Sequence, residues 1–265
     1  MKKKISITIE ENVMKEIDAI VDNIYIRNRS QAVEFLARSA LGERKTAVIL
    51  AGGAEKSLRI GNDYRPTAKM NKKNVIEIAV EKLSASGFKE IFVIARQNVL
   101  TKIFEILKDG SLYGVNISYI EEKESKGTAD SLRLARGKIK KTFLVVYADI
   151  IFNKINIEEL WNQHIRQNAL ATLLLTTSAT PSEKGVVIVE GSKILTFSQK
   201  PENTENYVVF SPIFVAEPEL LNYRGESLEN DVFPKIAEKG LLVGYMSAQR
   251  EMHIHSEEDV RKFSK

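Results

Sequence analysis

The chain contains no cysteine. Disulfides and thiolate metal sites are therefore excluded, and a cytoplasmic home is the expectation. No apolar run approaches the roughly 20 residues that span a bilayer, so no membrane partner is expected. The start, MKKKISITIEEN, is basic but lacks the apolar core of a secretory signal. Nothing repeats at a fixed period, and no stretch is low in complexity. Strong charge of either sign is also missing. The 39 Lys and Arg against 35 Asp and Glu leave a formal charge of +4, which permits nucleic-acid or nucleotide binding without arguing for either. What is present is 265 residues with 43% hydrophobic content, enough for one large folded domain plus a small one.

Residues 47 to 69, AVILAGGAEKSLRIGNDYRPTAK, organise the larger part. An apolar strand, 47–51, runs into Gly52-Gly53, and a polar basic loop leads on to Arg65 and Lys69. Glycine lets backbone N–H groups approach an anion closely, so this order suits a nucleotide phosphate. Glu55 is out of place there, because a phosphate cradle favours another glycine.

The first 45 residues read differently. Lys4-Ile5-Ser6-Ile7-Thr8-Ile9 alternates, with the isoleucines on one face and Lys4, Ser6 and Thr8 on the other. A helical pattern follows through Val13, Ile17, Ile20, Val21 and Ile24. A second helix starts at Asn28-Arg29-Ser30, with Ser30 as its expected N-cap. One strand and two short helices cannot bury their own apolar face, and a second copy solves this. The paired strands then present a ribbon that fits a DNA major groove. KISITIEENVMKEIDAIV and NRSQAVEFLARSAL closely resemble the ribbon-helix-helix transcription regulators. The resemblance implies an obligate homodimer on a palindromic DNA operator. Lys4, Ser6 and Thr8 would face bases, backbone N–H groups at Ser30 and Gln31 would grip a phosphate, and Lys2 and Arg29 would add basic charge. The expected boundaries are residues 1–42 for this unit, 43–46 for a linker and 47–265 for the second domain.

Beyond residue 47, strand and helix signals alternate. Strands are expected at 47–51, 90–95, 115–120, 143–147 and 169–177, and helices at 75–84, 99–107, 129–139 and 156–167. This is the pattern of a mainly parallel sheet covered on both faces, with ligands at the carboxyl ends of its strands. From residue 185 a hairpin at 186–197, a strand at 207–215, a helix at 229–239, a strand at 242–246 and a helix at 256–263 follow.

Five motifs in this order resemble the sugar-phosphate nucleotidyltransferases. They are Leu50-Ala51-Gly52-Gly53, Arg65-Pro66, Lys126-Gly127-Thr128-Ala129, Tyr147-Ala148-Asp149 and Phe197-Ser198-Gln199-Lys200-Pro201. The resemblance implies an α/β fold, a Rossmann-like mixed (GT-A-like) domain. It also implies ligand contacts at Gly52, Gly53, Arg65, Lys69, Gly127, Thr128, Asp149 and Lys200, catalytic candidates Arg65 and Asp149, and Mg²⁺ on Asp149. The chain departs from the family pattern at several points. Glu55-Lys56-Ser57 stands for Gly-Thr-Arg, Arg65 for lysine, Gln199 for glutamate, and His253 for the second metal-binding aspartate. A hard Mg²⁺ ion prefers carboxylates, and imidazole is a poor ligand for it.

The expectation is therefore a DNA-binding transcription regulator. Its nucleotidyltransferase-like domain has lost catalysis and senses a nucleotide, sugar phosphate or nucleotide sugar. The alternative is an active nucleotidyltransferase dimerised by its ribbon. A tetramer is the expected assembly if two operator sites are bound together.

Overall fold

The structure is a computed structural model and describes residues 6–24, 26–40 and 45–263. It divides into two compact units, Met1–Glu43 and Arg44–Lys265.

In the first unit, helices α1 (Glu11–Ile20) and α2 (Arg29–Ala40) pack around Ile17, Ile26 and Ala32. Asn28, rather than Ser30, starts α2: its side-chain oxygen accepts the Gln31 N–H at 3.0 Å. Among the described residues Ser6–Ile9 has no strand partner. Lys2 and Lys4 lie outside the described residues. Ile7 and Ile24 are more than half exposed, at 56% and 66%, so this small core leaves apolar surface uncovered.

The second unit is built on one sheet. Its strands are β1 (Lys45–Ala51), β2 (Phe88–Ala95), β3 (Asn116–Glu121), β4 (Phe143–Tyr147), β5 (Ala171–Thr177), β6 (Gly185–Glu190), β7 (Lys193–Gln199), β8 (Val208–Ala216) and β9 (Leu242–Met246). The spatial order is β5-β9-β7-β6-β8-β4-β1-β2-β3, and β5 also pairs with β8. β1 pairs in parallel with β2 and β4, and β2 with β3. The late strands turn this parallel half into a mixed sheet through the antiparallel β8–β4 and β6–β7 pairs. A strand segment whose two faces are both covered is apolar, and β1 satisfies this from Ala47 onward: Ala47, Ile49 and Ala51 enter one core, Val48 and Leu50 the other.

Helices α3 (Val75–Ala85), α4 (Gln97–Leu107) and α6 (Ile157–Gln167) supply buried residues to the first core, while α5 (Thr128–Arg133) and α7 (Phe233–Glu238) supply the second. Trp161 meets Phe88 edge-to-face at 5.4 Å in the first core. His164, 1% exposed, is held between Thr172 at 2.8 Å and Glu217 at 3.1 Å. Asn74 and Glu77 form a capping box that starts α3. Ser256 and Asp259 exchange bonds at the start of the last helix, α8 (Glu257–Phe263), at 3.2 and 2.9 Å. The helix expected at 129–139 is shorter, ending at Arg133, and Leu228–Val232 forms a π-helical turn ahead of α7. Among the described residues no helix is long and apolar enough to cross a membrane.

Candidate active site at the carboxyl ends of the central strands

Three groups of side chains gather where β3, β1 and β4 end. The first is the glycine turn. Gly53 has φ +112°, which an L side chain rarely adopts, and its N–H donates to Glu122 Oε2 at 3.1 Å. The other Glu122 oxygen accepts the Ser131 hydroxyl at 2.9 Å, and Glu122 is 1% exposed. A Cβ on Gly52 would stand 2.2 Å from Glu122 Oε2, so glycine is needed there for the carboxylate to fit. Sequence reading missed Glu122. Its signal was a second carboxylate directly after an alternating strand that itself ends in Glu121. Glu55 does not face an incoming triphosphate without a partner: both its oxygens accept from Asn98 Nδ2 at 3.1–3.2 Å, near the start of α4.

The second group is the Gly127-Thr128 segment. A Cβ on Gly127 would stand 2.6 Å from the Glu226 carbonyl oxygen, so glycine serves a close backbone approach. The Thr128 hydroxyl donates to Glu229 at 2.6 Å and accepts the Leu228 N–H at 2.8 Å. Tyr147, two residues before Asp149, donates to the same Glu229. Burial first, then the neighbouring Glu229, pushes the Tyr147 phenol well above its ordinary pKa, which keeps it a donor.

The third group surrounds Asp149. The short Ile150–Ile151 strand pairs antiparallel with Met252–His253, and the Ile254 N–H donates to the Asp149 carbonyl oxygen at 2.9 Å. This pairing brings distant residues to Asp149. Arg65 Nη1 donates to Asp149 Oδ2 at 3.2 Å, and His255 Nε2 stands 3.5 Å from the same oxygen. Burial pushes the Asp149 carboxyl up, but the His255 bond and the charges of His253, His255 and Arg65 outweigh it and hold the group below the usual carboxylate range. His253 Nε2 lies 2.9 Å from Glu251, which also accepts from Ser211 at 2.7 Å and pairs with Lys184 at 3.5 Å. Burial opposes ionisation of Glu251, but the His253 and Ser211 hydrogen bonds prevail and bring it down to about 2. The Lys184 carbonyl in turn accepts the Lys200 N–H at 2.9 Å, tying the Gln199-Lys200-Pro201 turn to the Asp149 centre. Lys200 has φ +45°, and Gln199 Oε1 is buried without a partner. Lys69 sits exposed in a hairpin with Asn74.

The Mg²⁺ site expected on Asp149 does not fit these residues. Asp149 is already engaged by Arg65 and His255, and the second carboxylate position holds His253. Among the described residues no group of three His, Asp or Glu side chains is arranged to hold a metal ion.

The expected phosphate grip at Ser30 and Gln31 is also altered. The Gln31 N–H is spent on Asn28, and the Arg29 guanidinium on Asp18 at 2.6 and 2.8 Å.

A sequence profile of the family described as Nucleotidyl transferase matches residues 46–252. The mannose-1-phosphate guanyltransferase of Yarrowia lipolytica is 31% identical over 189 residues, which cover 68% of this chain and 52% of that protein. The mannose-1-phosphate guanylyltransferase catalytic subunit beta of Xenopus tropicalis is 28% identical over 208 residues, 74% of this chain and 57% of that protein. The chain thus spans about half the length of the curated relatives it matches. The crystal structure of HddC from Yersinia pseudotuberculosis superposes with a TM-score of 0.69 at 18% identity, covering 83% of this chain and 98% of that one, and shows the same fold. These matches overturn the expectation of a DNA-binding transcription regulator, with DNA as partner. The relatives are named as transferases, their likeness runs through the domain expected to be a mere sensor, and nothing ties the first unit to DNA. That expectation rested on the departures at Glu55, Arg65, Gln199 and His253 and on the likeness of the first 42 residues to a DNA-binding ribbon; at Glu55 the structure supplies a hydrogen-bond partner, Asn98. The chain belongs to the nucleotidyl transferase family.

Proposed function

We propose that this chain transfers a nucleotidyl group from a nucleoside triphosphate to a sugar 1-phosphate and releases pyrophosphate. The observation that carries the reading is the linkage of the Lys200 turn to the Asp149 centre, through Lys184, Glu251 and His253, beside the Gly52-Gly53 turn. A phosphate donor and a phosphate acceptor need two anion sites side by side, and these turns are suited to supply them. A phosphate oxygen of the sugar 1-phosphate attacks the α-phosphorus of the triphosphate. The bond from that phosphorus to the bridging oxygen breaks, and its electron pair leaves on pyrophosphate. The attacking oxygen is already ionised, so the reaction asks for positioning and charge neutralisation rather than a general base. Arg65 and Lys69 supply positive charge toward the triphosphate, and Lys200 toward the sugar phosphate. Gln199 Oε1, buried and unpartnered, is an acceptor for a sugar hydroxyl. When bound, Mg²⁺ neutralises phosphate charge. Gly127 and Thr128 shape the wall of the cleft.

We further propose that residues 1–42 resemble a ribbon-helix-helix unit because they dimerise the chain. The alternating Ile7 and Ile9 and the exposed Val13 and Ile24 support this, since a second copy would bury them. A cysteine-free chain acting on nucleoside triphosphates suits the cytoplasm. The test is to incubate the full chain with GTP, mannose 1-phosphate and Mg²⁺, then with a panel of other triphosphates and sugar 1-phosphates. Nucleotide sugar and pyrophosphate in equal amounts are expected. No pyrophosphate from any pair sinks the reading.

A further inference from the structure

The centre at Asp149 is paired internally in a way that leaves no charge for a metal ion to satisfy. Two carboxylates, Asp149 and Glu251, face two fixed cations, Arg65 and Lys184, at 3.2 and 3.5 Å. Two imidazoles complete the group: His255 beside Asp149 at 3.5 Å and His253 on Glu251 at 2.9 Å, with ring centroids 5.2 Å apart. A pair of free carboxylates attracts a hard dication and offers it oxygen ligands. Here Asp149 is covered by a guanidinium, and the position of the second metal-binding carboxylate is the imidazole of His253. What the group offers instead is N–H. The Arg65 Nε is buried and has no hydrogen-bond partner among the described residues. A buried donor left unmade costs about 1–3 kcal/mol, so its vacancy marks a place for an acceptor.

We propose that Arg65, His253 and His255 form an anion seat that receives a phosphate group of the substrate directly, in place of a divalent cation held by the protein. The inference rests on the nucleotidyltransferase reading for which phosphate arrives, but its chemistry is separable. The unpartnered Arg65 Nε–H supplies the first donor of the guanidinium fork, and Arg65 Nη1, His255 Nε2 and His253 Nε2 add others by exchanging their bonds to Asp149 and Glu251 for phosphate oxygens. Exchanging an aspartate for His253 removes one negative charge from the seat, which an anion site without a metal requires. Any Mg²⁺ then enters on the nucleotide's own phosphates rather than on the protein.

Two binding measurements on the nucleotide-free full chain test this. In the first, Mn²⁺ is titrated and followed by electron paramagnetic resonance. Wild type is expected to bind no Mn²⁺ below millimolar concentration, whereas His253→Asp, which restores a carboxylate pair with Asp149, gains affinity by about tenfold or more. Micromolar binding of one Mn²⁺ by wild type, abolished in Asp149→Asn, overturns the proposal. In the second, inorganic pyrophosphate is titrated calorimetrically in excess chelator. Binding is expected, weakened about tenfold or more in Arg65→Gln and only partly restored in Arg65→Lys, which lacks the fork. Binding that appears only when Mg²⁺ is added overturns it. Trp161 fluorescence confirms that each variant is folded. A chain that binds pyrophosphate in chelator yet transfers no nucleotide keeps the seat and loses the function. A chain that transfers nucleotide while holding Mn²⁺ at Asp149 keeps the function and loses the seat.

Discussion

Replacing Gly52 by alanine adds one methyl group where the structure has no room for it. The new Cβ would lie 2.2 Å from Glu122 Oε2 and 2.8 Å from Ser131 Oγ. Gly52 itself does not have a positive φ, so the backbone tolerates alanine and the cost is purely steric. Glu122 is 1% exposed and cannot step aside into solvent without breaking its bonds to the Gly53 N–H at 3.1 Å and the Ser131 hydroxyl at 2.9 Å. Hydrogen bonds to a charged group contribute about 1.5–3 kcal/mol each, and overpacking costs about 1–3 kcal/mol. Some of this is recovered by relaxation, so a loss of about 3 kcal/mol is expected. The assay is urea unfolding of the full chain followed by its single tryptophan, Trp161, which lies in the core of the large unit. Glu122→Ala also destabilises, because it strands the Ser131 hydroxyl and the Gly53 N–H. The double variant removes the clash, so its loss should fall below the sum of the two singles by about 1–2 kcal/mol. Strict additivity, or a Gly52→Ala loss under about 1 kcal/mol, refutes the claim that Glu122 fills the space above the glycine turn.

Glu251 links stability to pH. Its pKa falls from 4.5 to about 2 in the folded chain, so the stabilisation is complete above pH 4.5 and is lost as pH falls toward 2. It amounts to about 3 kcal/mol at neutral pH, and the stability gap between wild type and Glu251→Gln should close across that window in acid unfolding. Asn98→Ala removes the amide from which both Glu55 oxygens accept. It should raise the KM for the triphosphate by about threefold to tenfold through like-charge repulsion, with kcat little changed, in steady-state pyrophosphate release. Thr128→Val removes the hydroxyl that bridges Glu229 and the Leu228 N–H, and should cost about 2 kcal/mol in the same unfolding assay. Ile7→Lys charges an exposed apolar position of the first unit and should convert a dimer to a monomer in light scattering of the full chain; an unchanged mass removes dimerisation through that face.

Much of the fold was legible because it follows from local periodicity. β4 and β9 occur with the expected ends, 143–147 and 242–246, and the capping pair of Ser256 and Asp259 forms as read. The glycine pair was legible too, since strand followed by Gly-Gly has few other uses. Asp149 and Arg65 were named as candidates from motif order, and their side chains pair at 3.2 Å; the Lys200 turn, also named, reaches that pair only through Lys184, Glu251 and His253. The departures at Glu55, Arg65, Gln199 and His253 were read together as lost catalysis, and Glu55 was read without its partner. Its charge was visible in the chain, but its partner, Asn98, belongs to the helix after the neighbouring strand, and no local pattern announces such a contact.

The sequence alone determined the alternation of apolar strands and amphipathic helices, the place of the turns and the caps, because these depend on neighbours within a few positions. Only the tertiary structure decided which partner each carboxylate takes. Glu122 reaches back to Gly53, Glu229 joins Thr128 to Tyr147, and the Ile150–Ile151 pairing with Met252–His253 carries two histidines to Asp149. Each pairing joins segments far apart in sequence; Glu122 follows β3 and Gly53 follows β1, with β2 between them in the sheet. In a low-dielectric cleft the nearest few ångströms set the charge state, and sequence separation carries no information about that distance.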